Sequence, residues 1–176
     1  FDLDFPHLML RYRAMEFDAG KVGFAQRQIT EIDRNAKIAS PVSGVTNWAI
    51  KRGNRLTRPL IEAITGVHRD ANLPAFTKKS FKKRTPTPVQ GMNSRKVVLY
   101  ATCFVNHNNP QIGEAAQAIF SKNGIETEVV YPSCCGMPQL EQGDIARVAE
   151  KAKNISSELA LWIDRGYDIV ALVPSC

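Results

Sequence analysis

The sequence predicts an α/β fold, a parallel βαβαβ sheet preceded by a mostly helical segment. Three observations carry that expectation. From residue 95 onward, short continuous apolar runs alternate with helical stretches, which is the pattern of strands buried on both faces of a parallel sheet. Before residue 90 there are helix starts and stops but no such alternation. The charge divides at the same place: residues 1–90 hold 16 Lys and Arg against 8 Asp and Glu, and residues 91–176 hold 7 against 9, together with all four cysteines.

In the first part, residues 6–29 can be written as one helix with Pro6 in its first turn, where no backbone donor is needed. Leu8, Met9, Tyr12, Met15, Val22 and Phe24 supply apolar positions, while Gly20 and Gly23 weaken the helix. Further helices are expected over Val45–Ile50 and over Arg58–Ile64, the latter opened by Pro59 and closed by Gly66. His7 and His68 have no cysteine neighbours or metal-ligand spacing and read as surface or capping histidines.

The stretch Lys78–Gly91 is basic and then rich in proline and threonine, with Pro86 and Pro88 favouring extended backbone. It suggests a boundary near residue 90, with 1–90 as a helical, basic, linker-type segment and 91–176 as a cysteine-rich α/β domain. Lys78, Lys79, Lys82, Lys83 and Arg84 read as a solvated linker, or as a cluster for an acidic partner, a membrane surface or nucleic acid. Only Phe76 and Phe81 interleave with them, too few for the stacking platforms of single-stranded nucleic acid.

In the second part, Lys96–Ala101, Glu128–Tyr131 and Asp168–Val173 are strand-length apolar runs. Between the first two lies a helix with Asn109 as N-cap, Pro110 at its first position and Gly124 at its end. Its expected buried stripe is Ile112, Ala115, Ala116, Ile119 and Phe120. The next helix runs from Asp144 to Gly166, with Ile145, Val148, Ala149, Ala152, Ile155, Leu159, Trp162 and Ile163 facing inward.

This order places the cysteines. Cys103 follows the first strand, Cys134 and Cys135 follow the second, and Cys176 follows the third. The carboxyl ends of parallel strands share one edge, which is where ligands bind in open α/β sheets. Chain geometry therefore brings three separated cysteine sites to one rim, near helix N-termini that favour thiolates. A structural zinc site is one reading, although adjacent cysteines are awkward around one small ion. Disulfide redox chemistry is another, without a C-x-x-C motif to support it. Small buried structural cysteines are the plain alternative. An iron–sulfur cluster is larger and can be reached from separate loops, and placement favours it.

The string Cys103, Cys134-Cys135-Gly136, Cys176, with Pro138 following, resembles the cysteine-rich CCG domain of heterodisulfide reductase B subunits and related iron–sulfur oxidoreductases. That motif closes with C-x-x-C and the chain stops at its first cysteine, so a further ligand is expected beyond Cys176. With its opening on Phe1, the chain reads as a piece of something longer. Residues Thr102–Pro110 and Gly66–Pro74 resemble the C subunits of anaerobic glycerol-3-phosphate dehydrogenases, and the CCG subunits of lactate- and glycolate-oxidising complexes are similar.

The resemblance implies a 4Fe–4S-type cluster held by Cys103, Cys134, Cys135 and Cys176. It implies an electron-transfer subunit of anaerobic respiration that takes electrons from a flavoprotein dehydrogenase towards a quinone-linked or membrane partner. The expected place is the cytoplasmic face of the inner membrane, with peripheral contact, and no nucleic acid partner is expected. A zinc-binding or basic interaction module is the competing class. The residues themselves propose no acid–base or nucleophilic set, and no G-x-G-x-x-G follows the first strand. No apolar run approaches the length of a membrane-spanning helix. His107 is either an exposed loop residue or a partner for a cluster sulfur, and Tyr131, Met137 and Pro138 are expected to shape and shield the pocket.

Overall fold

Lys96–Tyr100 (KVVLY) is rich in β-branched and aromatic residues that suit a pleated, buried surface, and it forms the central strand β1 of the computed structural model. The structure describes residues 4–85, 91 and 94–176. The other strands are β2, Glu126–Val130, and β3, Asp168–Ala171. The order is β2-β1-β3 and both pairings are parallel, so the α/β sheet read from the sequence is present. Tyr100 aligns with Val130 on one side and Ala171 on the other, so the strands end level along one rim.

Ahead of the sheet come α1 Phe5–Asp18, α2 Phe24–Thr30, α3 Ile32–Ala39, α4 Ser43–Ile50, α5 Arg58–Thr65 and α6 Phe81–Arg84. After β1 come α7 Cys103–His107 and α8 Pro110–Lys122, and after β2 come α9 Met137–Gln142 and α10 Ile145–Ile163. The two strand-to-strand connections run in opposite directions across the sheet. Right-handed crossovers then put α8 and α10 on opposite faces. Val97, Leu99 and Ala101 alternate onto the α8 face, where they form the core with Phe81, Val105 and Val129.

Several expected elements differ in detail. The single helix over 6–29 is two, because the chain turns at Gly20 with φ 72° and α2 restarts after Gly23. The intervening α3, and the short α7 and α9 on the rim, carry too few residues for a legible period. Asn109 precedes α8 without a side-chain cap bond. The buried side of α8 is Gly113 and Gln117, flanked by Ala116 and Phe120, while Ile119 is 61% exposed. Phe81 causes that rotation: a Cβ on Gly113 would sit 2.5 Å from its ring, so the helix docks through a residue with no side chain. No residue of α10 is fully buried, and Trp162 is half-buried edge-on against Tyr167.

The basic stretch is partly structural rather than wholly solvated. Phe81 is completely buried, the Lys82 ammonium donates to the Val129 carbonyl, and Arg84 pairs with Glu114 at 3.0 Å. Pro86 and Pro88, where the boundary is expected, lie outside the described residues. Farther back, buried Arg58 donates to the carbonyls of Arg69, His68 and Ala71 at 2.7–2.9 Å, which folds the Gly66–Pro74 loop around one guanidinium.

Candidate metal centre

The three loops that leave the level strand ends carry the cysteines to one place. Cys103 opens α7, where the Thr102 side chain accepts the Val105 N–H and fixes the turn. Cys134 and Cys135 end the loop after β2, immediately before α9. Cys176 follows β3, and its N–H donates to the Val173 carbonyl at 3.1 Å. The thiols are in hydrogen-bond contact in sequence: Cys103 with Cys134, Cys134 with Cys135, and Cys135 with Cys176. None is in a disulfide, and exposure rises from buried Cys134 to exposed Cys176.

Backbone donors point at these sulfurs. The N–H groups of Phe104, Gly136 and Met137 bond Cys103, Cys134 and Cys135 respectively. Gly136 makes two of those bonds possible: it turns the chain with φ 94°, and a Cβ there would lie 3.3 Å from Lys151 Cδ. Backbone N–H bonds to sulfur favour its anionic, metal-bound form.

The thiols have different proton affinities. The Cys134 hydrogen bond pulls the Cys103 thiol below the ordinary thiol value, against its burial. Cys134 is pushed up to about 11, chiefly by the same bond seen from the donor side. Burial and the neighbouring Cys135 push Cys176 up to about 11. The bond to Cys134 raises Cys135 as well. Cys103 is thus the member that gives up its proton first.

An aromatic and carboxylate wall stands behind the sulfurs. Tyr100 and Tyr131 stack with ring centroids 6.5 Å apart, and the Tyr100 hydroxyl donates to the Ser133 carbonyl at 2.7 Å. Burial raises the pKa of both tyrosines. The Tyr131 hydroxyl donates to Asp33 Oδ1, while Asp33 Oδ2 accepts the Cys134 N–H at 3.0 Å and the Lys151 ammonium at 3.2 Å. Burial alone would raise Asp33, but these three donors outweigh it and hold the carboxyl below its ordinary 3.8.

Asp33 was not legible as a site residue. It lies on α3, about 100 positions before the loop it fixes, and its sequence neighbourhood carries no motif. His107 spends its ring on Tyr131, edge-on at 5.2 Å, and on Asn106 Nδ2 at 3.3 Å, rather than on a sulfur. Burial lowers its pKa. Met137 caps the rim at 38% exposure, and Pro138 sits in the first turn of α9. His7 and His68 lie away from the cysteines: His7 receives the Asp4 cap, and His68 stands near Glu62 and Asp70.

The donor set is sulfur throughout, which excludes hard cations such as calcium and magnesium. Among the described residues, no group of three or more His, Cys, Asp or Glu is arranged to hold a single metal ion. The four thiols are close enough to shift one another's proton affinities, Cys103 with each of the other three. Among the same residues, no helix is long and apolar enough to cross a membrane.

Comparison with known proteins agrees with this geometry. Residues 97–176 match the family described as CCG, Cysteine-rich domain. The whole chain is similar to the C subunit of the anaerobic glycerol-3-phosphate dehydrogenase of Escherichia coli strain K12, at 21% identity over 99% of the chain and 44% of the relative. A shorter stretch, 63 residues at 32% identity, is similar to lactate utilization protein A of Bacillus pumilus strain SAFR-032, covering 34% of the chain and 26% of that protein. The chain spans less than half the length of these curated relatives. No solved structure gives a significant match. From Val97 to Cys176, the sheet, its crossovers and its cysteine rim are what is similar to the cysteine-rich domain of that family.

Proposed function

We propose that the chain is an electron-transfer component of an iron–sulfur oxidoreductase, holding a 4Fe–4S-type cluster on Cys103, Cys134, Cys135 and Cys176. The observation that carries this reading is the contact of four thiols delivered by three separate strand ends. Adjacent Cys134 and Cys135 are awkward around one zinc, whereas a cluster of several irons can be reached from separate loops. Such a cluster supplies one-electron storage and transfer.

The chain's own residues do the rest. Cys103 offers the readiest thiolate, the N–H groups of Phe104, Gly136 and Met137 stabilise sulfur charge, and Asp33 holds the Cys134 loop in place. Tyr100, Tyr131 and Met137 limit water at the rim. Bond-making belongs to a flavoprotein partner. Similarity to a glycerol-3-phosphate dehydrogenase component supports that substrate for the whole complex. Electrons then pass towards a quinone-linked partner at the cytoplasmic face of the membrane, with exposed Lys78, Lys79 and Lys83 available for peripheral contact. The local similarity to lactate utilization protein A supports a lactate-oxidising complex as the second reading.

Anaerobically loaded protein should be brown, should bleach with dithionite and should give a paramagnetic signal in one of its redox states. Colour that neither reductant nor oxidant changes would end the electron-transfer reading. Reduction by a glycerol-3-phosphate-charged flavoprotein but not a lactate-charged one would choose between the two complexes.

A further inference from the structure

Beside the cysteine loop lies a cavity of about 440 Å³ walled by α3, the 78–83 stretch and the loop after β2. Lys37, Lys78 and Lys83 stand on its wall, and none of them has an ion pair among the described residues. Lys82 is there too, but its ammonium is committed to the Val129 carbonyl. The one carboxylate on the wall among the described residues, Asp33, is already engaged by Tyr131, Cys134 and Lys151. Three uncommitted positive charges therefore face one space.

The lining also has an apolar part, with Pro41, Pro132 and the Tyr131 ring, so the cavity accepts carbon as well as charge.

We propose that this cavity binds a small organic phosphate monoester. Such a group carries close to two charges near neutral pH and three strong acceptor oxygens, which suits three ammonium groups. A lone carboxylate would leave most of that charge uncompensated. Lysine is a good point-charge partner for phosphate, and the apolar lining takes the organic part. The site is separate from the cluster and stands whether or not the cluster reading does. Its wall includes Tyr131 and Ser133, so the bound ester would lie against the loop that presents Cys134.

The test is calorimetric titration of the intact protein with phenyl phosphate, with phenol as the uncharged comparison. Saturable binding of phenyl phosphate, absent for phenol, is expected. Lys37→Gln with Lys83→Gln should weaken it by about tenfold or more. Lys153→Gln, on the exposed side of α10, should leave it unchanged. Both cavity lysines are exposed, so the variants keep the fold, and circular dichroism checks that.

Phosphatidylcholine vesicles with and without phosphatidic acid then identify the source of the phosphate. Binding to phosphatidic acid vesicles that phenyl phosphate displaces assigns the cavity to a lipid headgroup. Binding of the soluble ester alone assigns a free one. Equal binding of phenol, equal weakening by Lys153→Gln, vesicle binding that the ester cannot displace, or no binding of either form would overturn the proposal.

Discussion

Asp33 Oδ2 accepts the backbone N–H of Cys134 at 3.0 Å, across 101 residues of sequence. The same carboxylate takes the Tyr131 hydroxyl and the Lys151 ammonium, so one side chain joins α3, the strand-end loop and α10 at the cysteine rim. Replacing it with alanine strands a buried N–H and a phenol, at an expected cost of about 1–3 kcal/mol. Urea unfolding of Asp33→Ala measures that cost.

The acid limb follows from the same contact. The carboxyl is held below its ordinary 3.8, so its stabilisation is present above that pH. It is lost as pH falls through the lower, folded value. The stability gap between wild type and Asp33→Asn should be constant at neutral and mildly acid pH and shrink below about pH 4. A gap that instead widens with acid would show that the carboxylate is not held by these donors.

Phe81 and Gly113 form a matched pair. Phe81 is fully buried against the α8 face of the sheet, and Phe81→Ala should cost about 3–5 kcal/mol. Gly113→Ala drives a methyl into that ring and should cost about 1–3 kcal/mol. Combining Gly113→Ala with Phe81→Leu should cost less than the sum, because the smaller side chain makes room. Denaturant midpoints of the three variants decide it, and strict additivity would contradict the packing.

Gly136 works at the rim. With φ 94°, an alanine there strains the backbone by about 1–2 kcal/mol and presses on Lys151, which holds Asp33. Gly53 has a comparable φ of 83° with open space around it. Gly136→Ala should therefore be the more damaging of the two and should speed chemical labelling of buried Cys134, whereas Gly53→Ala should leave labelling unchanged.

Metal-free protein should weaken at alkaline pH. Cys134 and Cys176 keep their protons up to about 11 when folded, against an ordinary thiol value of 9.0. Their contribution is present below about pH 9 and is lost as pH rises towards 11, because the unfolded thiols ionise first. Melting temperature measured across that window should fall, and Cys134→Ser should flatten the slope. An unchanged slope in that variant would contradict the shift.

The sequence made the sheet legible because β1 and β3 are apolar runs and β2, which starts two residues before the expected Glu128, ends in one, and strand ends in a parallel sheet place whatever follows them. Cys103, Cys134, Cys135 and Cys176 could be brought to one rim on that basis alone. The contributions of Phe81 and Asp33 were hidden for the opposite reason. Each acts across tertiary space from a short helix without a clear period, Phe81 by rotating α8 onto Gly113 and Asp33 by bonding a loop N–H. The break in the first helix was signalled by Gly20 and Gly23, but propensity did not say that both would be used.

The cysteine assignment is tested most directly by iron and acid-labile sulfide content after anaerobic reconstitution, in wild type and in Cys103→Ser and Cys134→Ser. Iron and sulfide should be bound together in comparable amounts in wild type, and both should be lost in either variant. A single zinc per chain without sulfide, or iron–sulfur loading that survives both substitutions, would contradict it.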